Sequence, residues 1–135
     1  MRYAVSLEKI EISFDNNNDR SPVLLIKILF YLCSNMKLIR RNIADIVALC
    51  EKYKVKELCV FGSVLTDNFS KKSDVDFTVV FDKPRIEDYF LNYFDFKFAL
   101  EDLLHRDVDL IEYEAIRNPY FKQEVENTRQ PIYGQ

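Results

Sequence analysis

The spacing of apolar residues in the middle of the chain predicts a helix that leads directly into a strand. From Leu38 to Lys54, apolar residues recur every three or four positions with charged residues between them, which is the pattern of a helix with one buried face. The apolar positions are Ile39, Ile43, Ile46, Cys50 and Tyr53. The next run, Val55–Phe61, is short and mostly apolar, as expected for a buried strand.

A second strand and a second helix follow, separated by a proline. Polar and apolar residues alternate from Asp74 to Phe81, as in a strand with one face on the core. The core-directed positions are Val75, Phe77, Val79 and Phe81. Pro84 then breaks the chain, because proline cannot pair in a ladder and disfavours helix at the residue before it. A second helix is predicted for Ile86–Leu104.

The C-terminal part of the chain adds one strand and one helix. Val108–Glu112 is predicted to be a third strand, and the helix before it would act as a crossover that brings it near the second strand. Asn118 and Pro119 suit the cap and first turn of a last helix, roughly Tyr120–Thr128. Together these elements predict an α/β fold in which a small mixed sheet is flanked by helices.

The second predicted helix is unusually aromatic. Six aromatic residues fall within the ten positions from Tyr89 to Phe98, which is more than one buried stripe needs. Two interpretations stay open: the rings serve core and helix packing, or the surplus surface meets a partner chain.

Composition and charge describe one globular domain and exclude several classes of protein. Of the 135 residues, 48% are hydrophobic and 30% are charged, and the net charge is −3, so disorder is excluded and a nucleic acid is an unlikely partner. Cys33, Cys50 and Cys59 are odd in number and form no Cys-x-x-Cys pair, which favours a reduced, cytoplasmic protein. The longest apolar run, Val23–Cys33, is too short to span a bilayer, which takes about 20 residues.

The turn between the first two strands has the features of a phosphate site. Gly62 is the only glycine before the extreme C-terminus, and a glycine permits a close backbone approach that a Cβ would block. Ser63 adds a hydroxyl and a backbone N–H beside that gap. A helical turn starting there would present free N–H groups to an anion.

The second strand carries a pair of acids suited to a divalent cation. Asp74 and Asp76 stand two residues apart, so in a strand they point to the same side, about 6.5–7 Å apart. Carboxylates at this spacing are hard oxygen ligands for one or two Mg²⁺ ions. A phosphate-binding turn beside such a pair predicts phosphoryl-type transfer.

These residues together resemble the signature of a known enzyme family. Gly62-Ser63, ten intervening residues and then Asp74-Val75-Asp76 resemble the signature of the polymerase-beta-type nucleotidyltransferase superfamily, in its minimal (MNT) branch. Arg106–Ile111 resembles the later strand that carries the family's third carboxylate, and Ile116–Phe121 resembles the C-terminal segment of many MNT proteins. The resemblance covers roughly residues 36–134.

The resemblance implies a polymerase-beta-like nucleotidyltransferase fold and Mg²⁺-dependent transfer of AMP from ATP to an acceptor hydroxyl. By position, Gly62 and Ser63 would contact the triphosphate. Asp74 and Asp76 would bind Mg²⁺, with two ions expected. Asp109 would complete the metal site or help to activate the acceptor. Stand-alone MNT proteins often serve as antitoxins that modify a toxin tyrosine with AMP, so the expected partner is a HEPN-type toxin.

Two alternatives stay open. Many members of the family carry arginines and a second glycine soon after the Gly-Ser pair, where this chain has Val64, Thr66 and Asp67. The nearest cations are Lys71 and Lys72. A catalytically inactive antitoxin that acts by binding alone would fit this departure. The other alternative is a small-molecule nucleotidyltransferase of the aminoglycoside type.

Residues 1–35 differ in character from the rest of the chain. Tyr3–Leu7 and Ile10–Phe14 suit short strands, and Val23–Cys33 suits a helix. The resemblance begins only near Met36. We therefore hypothesise that residues 1–35 are an extension, either an appended arm or the product of an upstream start codon, and that residues 36–135 form the nucleotidyltransferase domain.

Overall fold

The computed structural model describes residues 36–134, so the strands, helix and start-site hypothesis for residues 1–35 lie outside the described residues. The helices are α1 (Lys37–Arg41), α2 (Ile43–Lys52), α3 (Tyr89–Leu104) and α4 (Pro119–Thr128). The strands are β1 (Val55–Phe61), β2 (Val75–Phe81), β3 (Val108–Glu112) and β4 (Gln130–Gly134). None of these helices is long and apolar enough to cross a membrane.

These strands form one mixed sheet in the order β3-β2-β1-β4. β1 pairs antiparallel with β2 and β4, whereas β3 lies parallel to β2. A parallel pair needs a long crossover connection, and α3 provides it. The prediction of a small mixed sheet with its two acidic strands side by side is confirmed. The sequence pattern does not predict β4, because this strand is short and contains Pro131, a residue that sheets tolerate at their edges.

The prediction of one continuous helix over Leu38–Lys54 is wrong, because the helix is interrupted at Asn42. The backbone there has φ −107° and ψ 9°, and the Asn42 side-chain amide donates a hydrogen bond to the Leu38 carbonyl at 2.8 Å. Asparagine offers the backbone such local alternatives to regular helix. The predicted buried face survives the break, since Ile39, Ile46 and Cys50 are all buried.

The core lies between one face of the sheet and the helices α2 and α3. The predicted inward positions of β2 are all buried, at 0–4% exposure. Phe81 packs against the rings of Tyr89, Tyr93 and Phe96, with centroid distances of 5.6 to 6.4 Å. Burying one such ring stabilises a fold by about 1.5–3 kcal/mol. This aromatic cluster therefore fixes α3 against β2.

Helix α3 begins at Tyr89, later than the predicted Ile86, because Asp88 caps it by accepting a hydrogen bond from the Leu91 N–H at 3.0 Å.

The outward side of α3 carries aromatic residues that the core does not bury, which confirms the surplus predicted from the sequence. Phe90, Leu91 and Phe98 are 74%, 54% and 51% exposed. A partner for this surface stays a prediction.

Candidate active site

The turn after β1 is built around the carboxylate of Asp76. Residues Gly62–Leu65 form one turn of 3-10 helix, and Gly62 has a φ of +76°, which L side chains rarely adopt. A Cβ on this glycine would lie 2.3 Å from Asp76 Oδ2. Gly62 is thus required both by its backbone conformation and by the acid that occupies its side-chain space. Val64 and Leu65 are buried and anchor the turn.

The three acids named from the sequence come from neighbouring segments of the sheet. Asp76 lies in β2, on the face away from α2 and α3, and is paired with Phe61 on β1 and with Asp109 on β3. Residues paired in this way point to the same face. Asp74 directly precedes β2, which begins at Val75 and not at Asp74 as predicted.

The pKa of Asp76 is raised by its surroundings, including two acidic neighbours. Burial, then the negative charge of Asp109, then that of Asp74, raise the pKa of Asp76 to about 6. Asp76 is half-buried, whereas Asp74 and Asp109 are exposed. The structure therefore places Asp109 on the same face of the sheet as Asp76, which lies against Gly62. Asp109 and Asp74 are both near enough for their charges to act on Asp76.

This donor set fits Mg²⁺ that arrives with a substrate. The three carboxylates repel one another when ionised, and a divalent cation would relieve that repulsion. Within residues 36–134, no three Cys, His, Asp or Glu side chains are already grouped to hold one ion. Mg²⁺ is usually bound through one or two carboxylates, with water and substrate phosphates as its other ligands. The geometry thus suits a metal carried by a polyphosphate better than a resident structural ion.

A polar groove of about 350 Å³ extends from Asp74 to the end of α3. Lys71 and Lys72 line this groove and are exposed. The two cations that the sequence places nearest to the Gly-Ser pair therefore share the groove with Asp74. His105, the residue after α3, is exposed in the same groove. Asp107 also lines it, while its backbone carbonyl accepts a hydrogen bond from the Val75 N–H at 3.0 Å.

Helix α4 contacts the acid-bearing face of the sheet through Phe121. Asn118 caps it as predicted, accepting hydrogen bonds from the N–H groups of Tyr120 and Phe121 at 3.0 and 3.2 Å. The Phe121 ring meets Phe61, the β1 neighbour of Asp76, edge to face at 6.1 Å between centroids. The sequence predicts the helix and its cap but not this placement, because no local pattern encodes the contact between Phe61 and Phe121.

The sequence also gives no signal for the contacts of Arg106. Its Nη1 donates hydrogen bonds to the carbonyl oxygens of Ser70 at 2.6 Å and Ser73 at 3.0 Å. Its guanidinium carbon lies 4.4 Å from the centroid of the Phe69 ring. These partners are distant in the sequence, so only the fold reveals that Arg106 holds the loop before Asp74.

Comparison with known sequences identifies one domain family. A family model described as a nucleotidyltransferase domain matches residues 46–132. A Methanocaldococcus jannaschii protein, provisionally named a protein adenylyltransferase, is 44% identical over 78 residues, which cover 58% of this chain and 76% of that protein. A second protein of the same organism, with the same provisional name, is 38% identical over 78 residues, which cover 58% of this chain and 77% of that protein.

Comparison with solved structures finds the fold of this chain in other proteins. A structure described provisionally as a minimal nucleotidyltransferase has a TM-score of 0.60 at 27% identity and covers 71% of this chain and 94% of the other. A toxin–antitoxin complex with AMP-PNP gives 0.56 at 22% identity, with coverage of 70% and 74%. A complex of a tri-AMPylated Shewanella oneidensis HEPN toxin with an MNT antitoxin gives 0.52 at 21% identity, with coverage of 71% and 72%.

Proposed function

Because this chain belongs to the nucleotidyltransferase domain family, we propose that it transfers AMP from ATP to a hydroxyl group of a partner protein. Its family and its fold confirm the resemblance seen in the sequence, and the chain is a nucleotidyltransferase. The observation that carries the finer proposal is that Asp76 lies against Gly62 while Asp109 and Asp74 are near enough for their charges to act on it.

Each residue of the cluster has a proposed role. Asp74 and Asp76 would hold Mg²⁺, which when bound neutralises charge on the phosphate oxygens. Gly62 and Ser63 seat the β and γ phosphates. Asp109 orients the acceptor hydroxyl and takes up its proton. The acceptor oxygen forms a bond to the α-phosphorus, the bond from that phosphorus to the oxygen bridging toward the β-phosphate breaks, and pyrophosphate leaves with those electrons.

The acceptor we propose is a tyrosine of a HEPN-type toxin, which gives this chain the role of an antitoxin in the cytoplasm. Support for a protein acceptor comes from the provisional name of the relatives in M. jannaschii. Support for this class of partner comes from the toxin–antitoxin complexes that share the fold. The AMP-PNP in one of these complexes supports ATP as the donor.

A specific observation favours a second candidate, an antitoxin that acts by binding alone. Val64 is fully buried, so this position after the Gly-Ser pair serves the core and does not face a triphosphate. Thr66 and Asp67 are exposed and add no cation. The exposed aromatic side of α3 would provide contact surface for a bound toxin.

Labelling of the partner separates these two functions. The full chain is incubated with α-labelled ATP, Mg²⁺ and the product of the adjacent gene. We expect label on a tyrosine of the partner. Asp76→Asn should reduce the labelling rate, because a neutral amide is a poor Mg²⁺ ligand. The reduction should be about 100-fold or more, as is typical when one electrostatic group of an active site is lost.

Asp45→Asn is the matched control, since Asp45 is an exposed acid on α2. It should label the partner at the wild-type rate. Full neutralisation of the toxin by Asp76→Asn without any label would support binding alone. Label on an aminoglycoside instead of the protein would support the small-molecule alternative.

A further inference from the structure

The loop that leads into Asp74 has few buried contacts of its own. Between the turn and β2, Phe69 and Ser73 are half-buried, and the other side chains from Thr66 to Asp74 are exposed. The loop's one apolar anchor is Phe69, which packs against the core, and an exposed segment beyond such an anchor is not held in one conformation by packing. Asp74 is nevertheless near enough for its charge to act on Asp76, and the proposed function requires both acids at one metal site, so the loop needs another constraint.

The structure supplies this constraint from outside the loop, through Arg106. One guanidinium nitrogen donates to two loop carbonyls, those of Ser70 and Ser73, and the guanidinium carbon lies over the Phe69 ring, 4.4 Å from its centroid. Hydrogen bonds from a charged donor are stronger than neutral ones, and arginine stacks on aromatic rings as well. Within the loop, the Ser70 and Ser73 side chains also contact each other.

Arg106 is itself held in place by the end of α3. His105 adopts the left-handed conformation with φ 52° and ends the helix, after which the Arg106 N–H bonds to the Glu101 carbonyl at 3.4 Å. The Glu101 carboxylate accepts from the Val108 N–H at 3.1 Å and pairs with Lys97 at 3.0 Å. The arginine therefore projects from a fixed point between α3 and β3.

We propose that Arg106 is a positioning residue that holds the loop carbonyls so that Asp74 stays aligned with the acids of β2 and β3. Ser73 directly precedes Asp74, and Arg106 stands three residues before Asp109, so this side chain links the two segments that carry the first and third carboxylates. This inference rests on the proposed function, because it concerns the acids assigned there to Mg²⁺ and the acceptor.

The test measures the loop and the metal separately in the full-length chain. In the metal-free protein, hydrogen exchange of the Ser73 amide, which bonds to the Ser70 carbonyl at 3.1 Å, should be faster in Arg106→Gln than in the wild type. The Mg²⁺ concentration that half-saturates the amide shift of Val75, with AMP-PNP present, should rise about tenfold, as is typical when the support of a metal ligand is lost. Arg106→Lys should recover part of both changes, because its ammonium can reach the same carbonyls but cannot stack as a plane.

Arg85→Gln is the matched control, because this exposed arginine pairs only with Asp82 among the described ion pairs. It should leave both readouts unchanged. A folded Arg106→Gln with wild-type Ser73 exchange and a wild-type Mg²⁺ midpoint would overturn the proposal. If that variant does not fold, Arg106→Lys decides, since it keeps the charge but loses the planar guanidinium and should shift both readouts in the same direction by a smaller amount; no shift in either overturns the proposal.

A wild-type chain that binds no nucleotide with Mg²⁺ would count against the proposed function instead. Ser73 exchange would then still decide whether Arg106 holds the loop, because that measurement needs neither metal nor nucleotide.

Discussion

At the scale of single residues, Gly62 links the turn after β1 to the central acid of the site. The sequence marks this glycine as unusual, because it is the only one before the extreme C-terminus. The sequence cannot show that the space of the missing side chain holds the carboxylate of Asp76, since that contact joins two strands. The spacing thus selects Gly62 and Asp76 as candidate site residues, while the contact that requires a glycine could not be predicted from it.

We expect Gly62→Ala to destabilise the protein and to displace the Asp76 carboxylate. The left-handed backbone alone costs an alanine about 1–2 kcal/mol, and the new Cβ would meet Asp76 Oδ2 at 2.3 Å. Urea unfolding measures the loss of stability, and transfer activity should fall with it because Asp76 is displaced.

Double-mutant cycles separate the two causes. In an Asp76→Ala background the clash is gone, so Gly62→Ala should cost less by about 0.5 kcal/mol or more. Asp76→Asn keeps an atom at the clashing position and is the matched control, in which the cost should stay high. Equal costs in all three backgrounds would show that only the backbone conformation matters.

At the scale of elements, the sequence predicts the helices and strands whose signals are local. Asn118 and Pro119 mark the start of α4, and the alternation of β2 gives its buried face correctly. The predictions fail where a side chain competes with the backbone for hydrogen bonds, or where a strand pairs with a segment that is distant in the sequence. Asn42 breaks the first helix through its bond to Leu38, and β4 depends on pairing with β1 across most of the domain.

Asp88→Ala should destabilise the protein by about 1 kcal/mol, the usual cost of losing a helix N-cap. The Asp88 side chain accepts the Leu91 N–H, which has no other partner within the first turn of a helix. Thermal or urea unfolding checks this value. Asp88→Ser should retain most of the stability, because serine also caps helices; if both substitutions cost the same, the cap does not contribute.

At the scale of the whole molecule, the fold gathers like charges that would otherwise stay apart. The parallel pairing of β2 with β3 sets Asp76 beside Asp109, and the loop adds Asp74. This arrangement works against stability when no cation is bound, because burial and the charges of Asp109 and Asp74 disfavour the ionised form of Asp76. Proteins commonly accept such a cost at functional sites.

Asp76→Asn should therefore make the metal-free protein more stable at neutral pH while it removes activity. The pKa of Asp76 is raised from its ordinary value of 3.8 to about 6 in the folded state, so the folded chain binds a proton that the unfolded chain does not bind between those values. The contribution of Asp76 to the free energy of unfolding consequently falls as the pH rises from about 4 to about 6. Above that range the ionised carboxylate destabilises the fold by its full amount.

Unfolding of wild type and Asp76→Asn in urea, with EDTA, at several pH values tests this prediction. The variant should be more stable by about 1 kcal/mol at pH 7.5, a value that allows for solvent screening of a half-buried carboxyl, and its advantage should vanish near pH 4. Adding Mg²⁺ with AMP-PNP should stabilise the wild type and not the variant, because only the wild type keeps its charged ligand at this position. A variant that is less stable than the wild type at pH 7.5, or an advantage that persists unchanged at pH 4, would mean that the three acids do not repel one another as the structure indicates.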